Sequence, residues 1–399
     1  MFTFLRENRD FRNFWFGQVI SQVGDRIHTL AVIWLVYSWT KSGTALGLVL
    51  IAATLPSVLI SPWAGAISDR FNRKHIAIAS DVIRSVLVLM LAVMASYDLL
   101  TLPVMVVMTA LISSAASFFN PATLAMLPSI VASQELGRAN AITQLSANAS
   151  GALGFLLGSG LIAAIGVPAA FLFNGISFLL SALLFRLISY HHPPSVKAFS
   201  FVADLREGWR VVQGITVVAK LLVPLVLINF FFSSLSVLIP IFGEGVFKAG
   251  SAGIGMLMAS FTCGMFLAAL VLSTWHLKIS ISSLVTLGLL VVGGSFLLMS
   301  VFKYFPLFVV ALILIGFALN STNICLITMF QQVIPGEVRG KFFSLLTAVS
   351  LSAQPISYGL TGWFSDLLHP SGILLVCGIA LLGCTVMLFR ITELRAHYV

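Results

Sequence analysis

The sequence predicts an all-α membrane protein with twelve transmembrane helices in two six-helix bundles related by pseudo-two-fold symmetry. Three observations carry that expectation. Of the 399 residues, 59% are hydrophobic and 9% are charged, against about 25% charged in an ordinary soluble domain, too few to coat a water-facing surface. The apolar residues gather in twelve long runs, each close to the ~20 residues a spanning helix needs. The loop after the fourth run, 131–138 (VASQELGR), is echoed after the tenth by 333–340 (VIPGEVRG), as a duplicated six-helix unit requires.

The runs lie at 14–39, 44–67, 75–97, 102–120, 141–165, 169–188, 220–247, 252–275, 281–301, 306–328, 341–367 and 371–389. Helices are predicted throughout, because an open sheet edge has no hydrogen-bond partner in lipid. The first run is long, contains Gln18, Gln22 and Asp25, and is followed by no small-residue cleavage site; it reads as a span and not as a signal peptide. The second ends on a charged loop, and the third carries Asp81 and Arg84. The longest polar interruption, 189–219, separates the sixth run from the seventh. The organisation is therefore an N-terminal bundle over 1–190, a cytoplasmic linker over 191–219 and a C-terminal bundle over 220–399. Within the linker, 201–213 alternates apolar and charged residues at helical spacing; it reads either as an interfacial helix or as a solvated connection.

The net charge of +9 would point to nucleic acid in a soluble chain. Here it records orientation. With the N-terminus inside, every Lys and Arg falls on the cytoplasmic side except Lys41, Lys248 and Lys303 in the opposite loops and Arg26 and Arg84 within spans. Basic residues stay in cytoplasmic loops, so both termini are expected in the cytoplasm. Cys263, Cys325, Cys377 and Cys384 sit inside apolar runs without CxxC spacing and read as small core residues. No enzyme signature is present. Residues 336–342 (GEVRGKF) have one residue too few between the glycines, and Phe342 stands where a phosphate loop needs Ser or Thr. The seven histidines lack metal-ligand spacing, so neither cofactor nor metal is expected.

The most specific motif is 65–74 (GAISDRFNRK), GxxxDRxxRK directly after a span. Gly65 would let a neighbouring helix approach closely. Asp69 can accept hydrogen bonds from a helix N-terminus or pair with a cation, and Arg70, Arg73 and Lys74 would hold the loop at the inner surface. This decapeptide, the twelve runs and the central linker resemble the major facilitator superfamily over essentially the whole chain. Ser21-Gln22-Val23-Gly24-Asp25, Asn120-Pro121-Ala122 and Leu136-Gly137-Arg138-Ala139-Asn140-Ala141 resemble its macrolide- and multidrug-efflux branch of bacterial proton antiporters. That resemblance implies a latch in which Asp69, with Gly65, Arg70 and Arg73, joins the cytoplasmic ends of spans two and eleven. The corresponding loop of the second half, 275–282, has Lys278 but no Asp. Two features depart from drug-antiporter members: 102–120 contains no Arg, and Ser159 replaces the proline of a Gly-Pro motif in span five.

Ionisable residues inside spans mark function by default. Asp25 lies about eleven residues, roughly 16 Å, into its span, near the midplane. Gln18, Gln22, Asp25 and Thr29 share a helical face that would line a cavity. Asp25 is thus a candidate proton carrier, the alternative being static ion pairing among the two acids and two bases, Asp25, Arg26, Asp81 and Arg84, that holds spans together. Asp81 and Arg84, at i, i+3 spacing, read as a local pair belonging to the latch. Glu244, at the outer end of span seven, is a second proton-site candidate, and Asp366, at the outer end of span eleven, reads as a solvated boundary residue. The resemblance places the substrate cavity among spans one, four, seven and ten, with Gln18, Gln22, Arg26, Ser113, Ser117, Asn229, Phe230, Ser233, Asn320 and Asn323 as lining candidates. Aromatic walls with a few amides and hydroxyls suit amphiphiles.

The expected protein is a monomeric secondary exporter of hydrophobic or cationic small molecules in the bacterial inner membrane. Its partners would be an amphiphilic substrate, protons and membrane lipid, with no nucleic acid. A dedicated exporter of a siderophore, lipid-like compound or other endogenous metabolite is the alternative, and a non-transporting receptor or scaffold the distant one.

Overall fold

In the computed structural model, residues 2–190, 209–210, 216–274, 280–334 and 336–389 are described. The linker expectation therefore lies almost wholly outside the described residues, as does Lys278. Among the described residues every regular element is helical: α1 Phe2–Glu7, α2 Arg9–Thr40, α3 Gly43–Arg70, α4 Arg73–Ser96, α5 Leu102–Ile130, α6 Leu136–Ile165, α7 Val167–Arg186, α8 Thr216–Ser233, α9 Leu235–Pro240, α10 Gly250–Thr274, α11 Ile281–Val301, α12 Phe305–Val333, α13 Gly336–Leu367 and α14 Pro370–Phe389. A 3₁₀ turn, Ser133–Glu135, precedes α6, and a π turn, Ile241–Val246, extends α9. With α8, α9 and the π turn taken as one span, twelve long helices match the twelve apolar runs. Eleven are long and apolar enough to cross a membrane. The exception is α13, whose 32 residues are diluted by Ser, Thr, Gln and Asp.

Boundaries shift where a helix outlasts its apolar run. The fourth run stops at Asn120, yet α5 continues to Ile130 with Pro121 and Pro128 inside it. Proline removes one hydrogen bond and kinks a helix, but neighbouring helices in a bundle resupply the freed carbonyls. Separately, Arg73 Nη1 of α4 donates to the Ala125 carbonyl at 3.0 Å, in the segment between the two prolines.

The described residues form two compact units. The first takes those of Met1–Trp39, Ala52–Phe199 and Ala249–Ala259. In it α4 packs against α5 and α7. One end is closed by an aromatic cluster in which the short α1 inserts Phe4 and Leu5 among Phe11, Phe14, Phe119 and Phe185. Ring centroids lie 5.0 Å apart for Phe4–Phe11 and 5.5 Å for Phe14–Phe185, the tilted spacing aromatic quadrupoles favour. The second unit takes the described residues of Thr40–Ile51, Ser200–Lys248 and Ser260–Val399. Its packing is α11 on α12 and α14, and α8 on α13 and α14. Cys325, Cys377 and Cys384 are buried and Cys263 half-buried, all as free thiols.

Candidate functional site

The site develops where α2, α4 and α7 converge in the first unit. Small residues permit the approach. A Cβ on Gly24 would collide with the side chains of Asn174 and Ser177, and one on Gly175 would reach within 2.6 Å of Leu89. Ser85 Oγ donates to the Gly175 carbonyl at 2.7 Å, tying α4 to α7. Into this junction α4 projects Asp81, fully buried, and Arg84, whose side chain is 4% exposed. Arg84 Nη2 donates to Asp81 Oδ1, and Nη1 lies 3.6 Å from Asp25 Oδ2 on α2. The guanidinium is stacked between two rings, 4.6 Å from Phe119 and 4.2 Å from Phe178. Arg is the side chain suited to this place, because its planar, weakly hydrated fork takes two carboxylates edge-on while its faces meet aromatics.

The three charges are not equivalent. Asp81 is sealed, whereas the Asp25 side chain remains 43% exposed. One guanidinium is thus shared by an inaccessible carboxylate and an accessible one. Arg84 does more than pair locally with Asp81: it carries the third span's charge to Asp25. On α2, Gln18, Gln22 and Thr29 are half-buried. Thr29 Oγ1 donates to the Asp25 backbone carbonyl at 2.7 Å. Arg26 is exposed and lies over Phe155, 5.9 Å from the ring centroid.

The remaining candidates have separate places. Asp69 has its side chain outside the described residues. Arg70 is exposed. Arg73 bonds the Ser68 and Ala125 carbonyls, and Lys74 Nζ bonds the carbonyls of Arg186 and Ile188, each at 2.8 Å, as a cation at a helix C-terminus should. Among the described residues, a Cβ at Gly65 would meet no atom within 4 Å. At its other end α3 makes a tight contact through Gly43 and Gly47. Glu244 sits in the π turn, paired with Lys41 at 2.9 Å on an exposed surface.

Among the cavity candidates, Ser113 Oγ donates to the Ala53 carbonyl at 2.6 Å, and Ser117 Oγ bonds Ser57 Oγ at 3.2 Å. Both hydroxyls tie α5 to α3, and helix-to-helix glue is a common use of serine in membranes. In the second unit Asn320 Nδ2 holds the Met265 carbonyl at 2.7 Å. Asn229 Nδ2 bonds the Leu225 carbonyl at 2.9 Å, and Ser233 Oγ the Asn229 carbonyl at 2.6 Å. Phe230 is half-buried and Asn323 exposed. Sequence reading missed His28, buried against Phe171 at 5.2 Å, and the buried Asn174, Ser177 and Ser181 of α7. The i, i+3, i+7 spacing of those three was a signal that could have been used.

Twelve long helices with a partly exposed ion triad among them make the architecture of a membrane transporter. The chain belongs to the major facilitator superfamily, within the family described as transmembrane secretion effector, which matches residues 2–397. It is similar to macrolide efflux protein A of Streptococcus pyogenes, 25% identical over 397 residues that cover 96% of each chain. It is also similar to the putative bacilysin exporter BacE of Bacillus subtilis, 26% identical over 351 residues, 84% of this chain and 83% of the other. Among solved structures, its fold matches an inward-facing bacterial homologue of the iron transporter ferroportin, with a TM-score of 0.75 at 14% identity over 96% and 98% of the two chains. A POT family transporter in complex with 5-aminolevulinic acid matches with a TM-score of 0.76 at 12% identity, over 96% and 97%.

Proposed function

We propose that the protein exports amphiphilic, macrolide-like compounds across the bacterial inner membrane by alternating access, driven by inward proton flow, with both termini in the cytoplasm. The observation that carries the reading is the sharing of Arg84 between sealed Asp81 and accessible Asp25. When Asp25 is ionised, Arg84 balances two carboxylates. When Asp25 takes a proton, Arg84 is left wholly to Asp81 and the tie between α2 and α4 slackens. Proton occupancy is thereby converted into a change in how two spans hold each other, which is what a coupled transporter needs from a buried ionisable group. The likeness to a macrolide efflux protein supports export of a macrolide-like molecule. The likeness to a putative bacilysin exporter supports a second reading, a dedicated exporter of one compound.

The test is uptake of a radiolabelled macrolide into everted vesicles with an acidic lumen. Wild-type protein is expected to concentrate the compound. Asp25→Asn is expected to lower gradient-driven uptake at least tenfold, because the amide neither carries a proton nor competes for Arg84. Uptake by Asp25→Asn at the wild-type rate would remove Asp25 from coupling, and absence of uptake by wild type with any of a panel of macrolides would move the substrate to the second reading.

A further inference from the structure

We infer that Asp366 is a latch that holds the outer ends of α3 and α13 together and must open once in every transport cycle. The inference rests on the alternating-access reading for its place in the cycle, and on geometry for its parts. At the start of α3, Ser42 caps its own helix: its Oγ accepts from Ala45 N at 3.3 Å. The N–H groups of Gly43 and Thr44 also lack partners within the helix, as at any helix start. Asp366, in the last turn of α13, supplies the acceptors. Its Oδ1 accepts from Gly43 N at 2.6 Å, and its Oδ2 from Thr44 N at 3.0 Å and from Ser42 Oγ at 2.6 Å. One carboxylate, more than three hundred residues away in sequence, thus completes the cap of α3, and its charge lies at the positive end of the helix dipole.

Backbone contact beneath the cap shows that the carboxylate closes a tight joint. A Cβ on Gly47 would sit 2.6 Å from the Tyr358 carbonyl oxygen, and one on Gly362 would reach within 3.3 Å of the Gly47 Cα. Gly43, Gly47 and Gly362 therefore let α3 and α13 touch backbone to backbone.

The device is specific to this helix pair. The internal repeat places Lys248-Ala249-Gly250-Ser251-Ala252 over Lys41-Ser42-Gly43-Thr44-Ala45, and Lys41 and Lys248 share a left-handed backbone, φ 49 and 53. The start of α10 also packs tightly: a Cβ on Gly255 would lie 2.9 Å from the Phe155 carbonyl oxygen of α6. Yet Ala249 has no hydroxyl, and the end of α6, Leu161-Ile162-Ala163-Ala164-Ile165, has no acid. Of two related joints, one has a charged clasp. Asp366 thus gives this helix pair a charged clasp at its outer end, which alternating access must release.

The test is a distance measurement by pulsed electron resonance in liposomes. Spin labels are placed at the exposed positions Leu48→Cys and Trp363→Cys, with the four native cysteines replaced. The latched chain is expected to give mainly the short distance. Asp366→Ala is expected to lower the ratio of short to long distances about tenfold, the worth of a helix cap carrying charge-assisted bonds. Ser42→Ala, which leaves the carboxylate and both backbone bonds in place, should move the ratio in the same direction by about threefold and guards against a misfolded Asp366 variant. Glu244→Gln, which breaks only the exposed Lys41 pair, should leave the ratio unchanged. If the distributions of Asp366→Ala and Ser42→Ala superimpose on that of the parent, the latch is overturned, whatever flux assays report. Because the readout needs no substrate, a shifted ratio in a protein that moves no macrolide upholds the latch and counts against the efflux reading alone.

Discussion

Arg84→Met is expected to be the most damaging single substitution in the first unit, costing about 3–5 kcal/mol of stability. The side chain it replaces is 4% exposed and stands against an Asp81 with no exposure at all. Methionine fills much of the volume and keeps contact with Phe119 and Phe178, so the loss isolates charge and not packing. Without the guanidinium, Asp81 is a buried carboxylate with no countercharge, and the unit must protonate it, admit water or separate α4 from α7. Arg84→Lys keeps the charge but neither the flat stack nor the two-armed reach to Asp25, so an intermediate loss of about 1–2 kcal/mol is expected. The decisive variant is the double one. Asp81→Leu with Arg84→Met removes both buried charges and should recover most of the single mutant's loss, since a buried ion pair is often no more stabilising than an apolar pair of similar volume. Unfolding by sodium dodecyl sulfate titration, followed by tryptophan fluorescence, measures all three. Stability of Arg84→Met equal to wild type would mean that the triad is not the keystone of this junction. The double mutant carries a second message: if it folds but has lost gradient-driven uptake, the triad is retained for coupling at no benefit to the fold.

That triad marks the limit of what the sequence made legible. Twelve runs, their order and their approximate ends follow from hydropathy alone, because every spanning backbone must satisfy its hydrogen bonds internally. Asp25, Asp81 and Arg84 are also visible, since a charge in a span has no bland explanation. Their partnership is not. Local spacing offers Asp81 and Arg84 to each other at i, i+3, and nothing in one dimension says that the face of α4 carrying Arg84 turns toward α2. That rotation is set by Gly24, Gly175 and the small polar residues of α7, which act only after the helices meet. The same blindness explains Ser113 and Ser117: hydroxyls that line a cavity and hydroxyls that glue helices look alike in sequence. The glycines of α3 show the same limit. A glycine in a recognised motif invites a close contact, but α3 has its tight joint at Gly43 and Gly47, where the sequence shows only an unremarked run of small residues. Asp366, read as a solvated boundary acid, is exposed and also accepts from backbone N–H groups of that joint, which no sequence pattern displays.

Gly316→Leu should damage the second unit as Arg84→Met damages the first, for the opposite reason: not a missing partner but an atom with nowhere to go. On α12, a Cβ at Gly316 would collide with the Phe261 carbonyl oxygen of α10 and lie 3.1 Å from Met265 N. The contact is reciprocal, since a Cβ at Gly264 of α10 would collide with the Ile313 carbonyl oxygen and reach within 2.9 Å of Phe317 N. These neighbours are backbone atoms inside helices, so no rotamer change can clear them and the helices themselves must separate. Separation also stretches the bond from Asn320 Nδ2 to the Met265 carbonyl, one turn along at 2.7 Å. In a membrane this loss is not softened by a hydrophobic term, because lipid replaces protein contact at equal polarity and close packing is what associates the helices. Leucine at Gly316 is expected to cost about 3 kcal/mol or more, and alanine about 1–2 kcal/mol, on the scale of overpacked cores. Gly294→Ala on α11 and Gly383→Ala on α14 are the controls, because a Cβ at either position meets no atom within 4 Å. There the only change is the backbone entropy that glycine costs a helix, and alanine should be neutral or stabilising by up to about 1 kcal/mol. If all four variants unfold at the same detergent concentration, glycine in this chain records composition and not contact; a loss confined to Gly316 places the α10–α12 crossing among the joints on which the second unit depends.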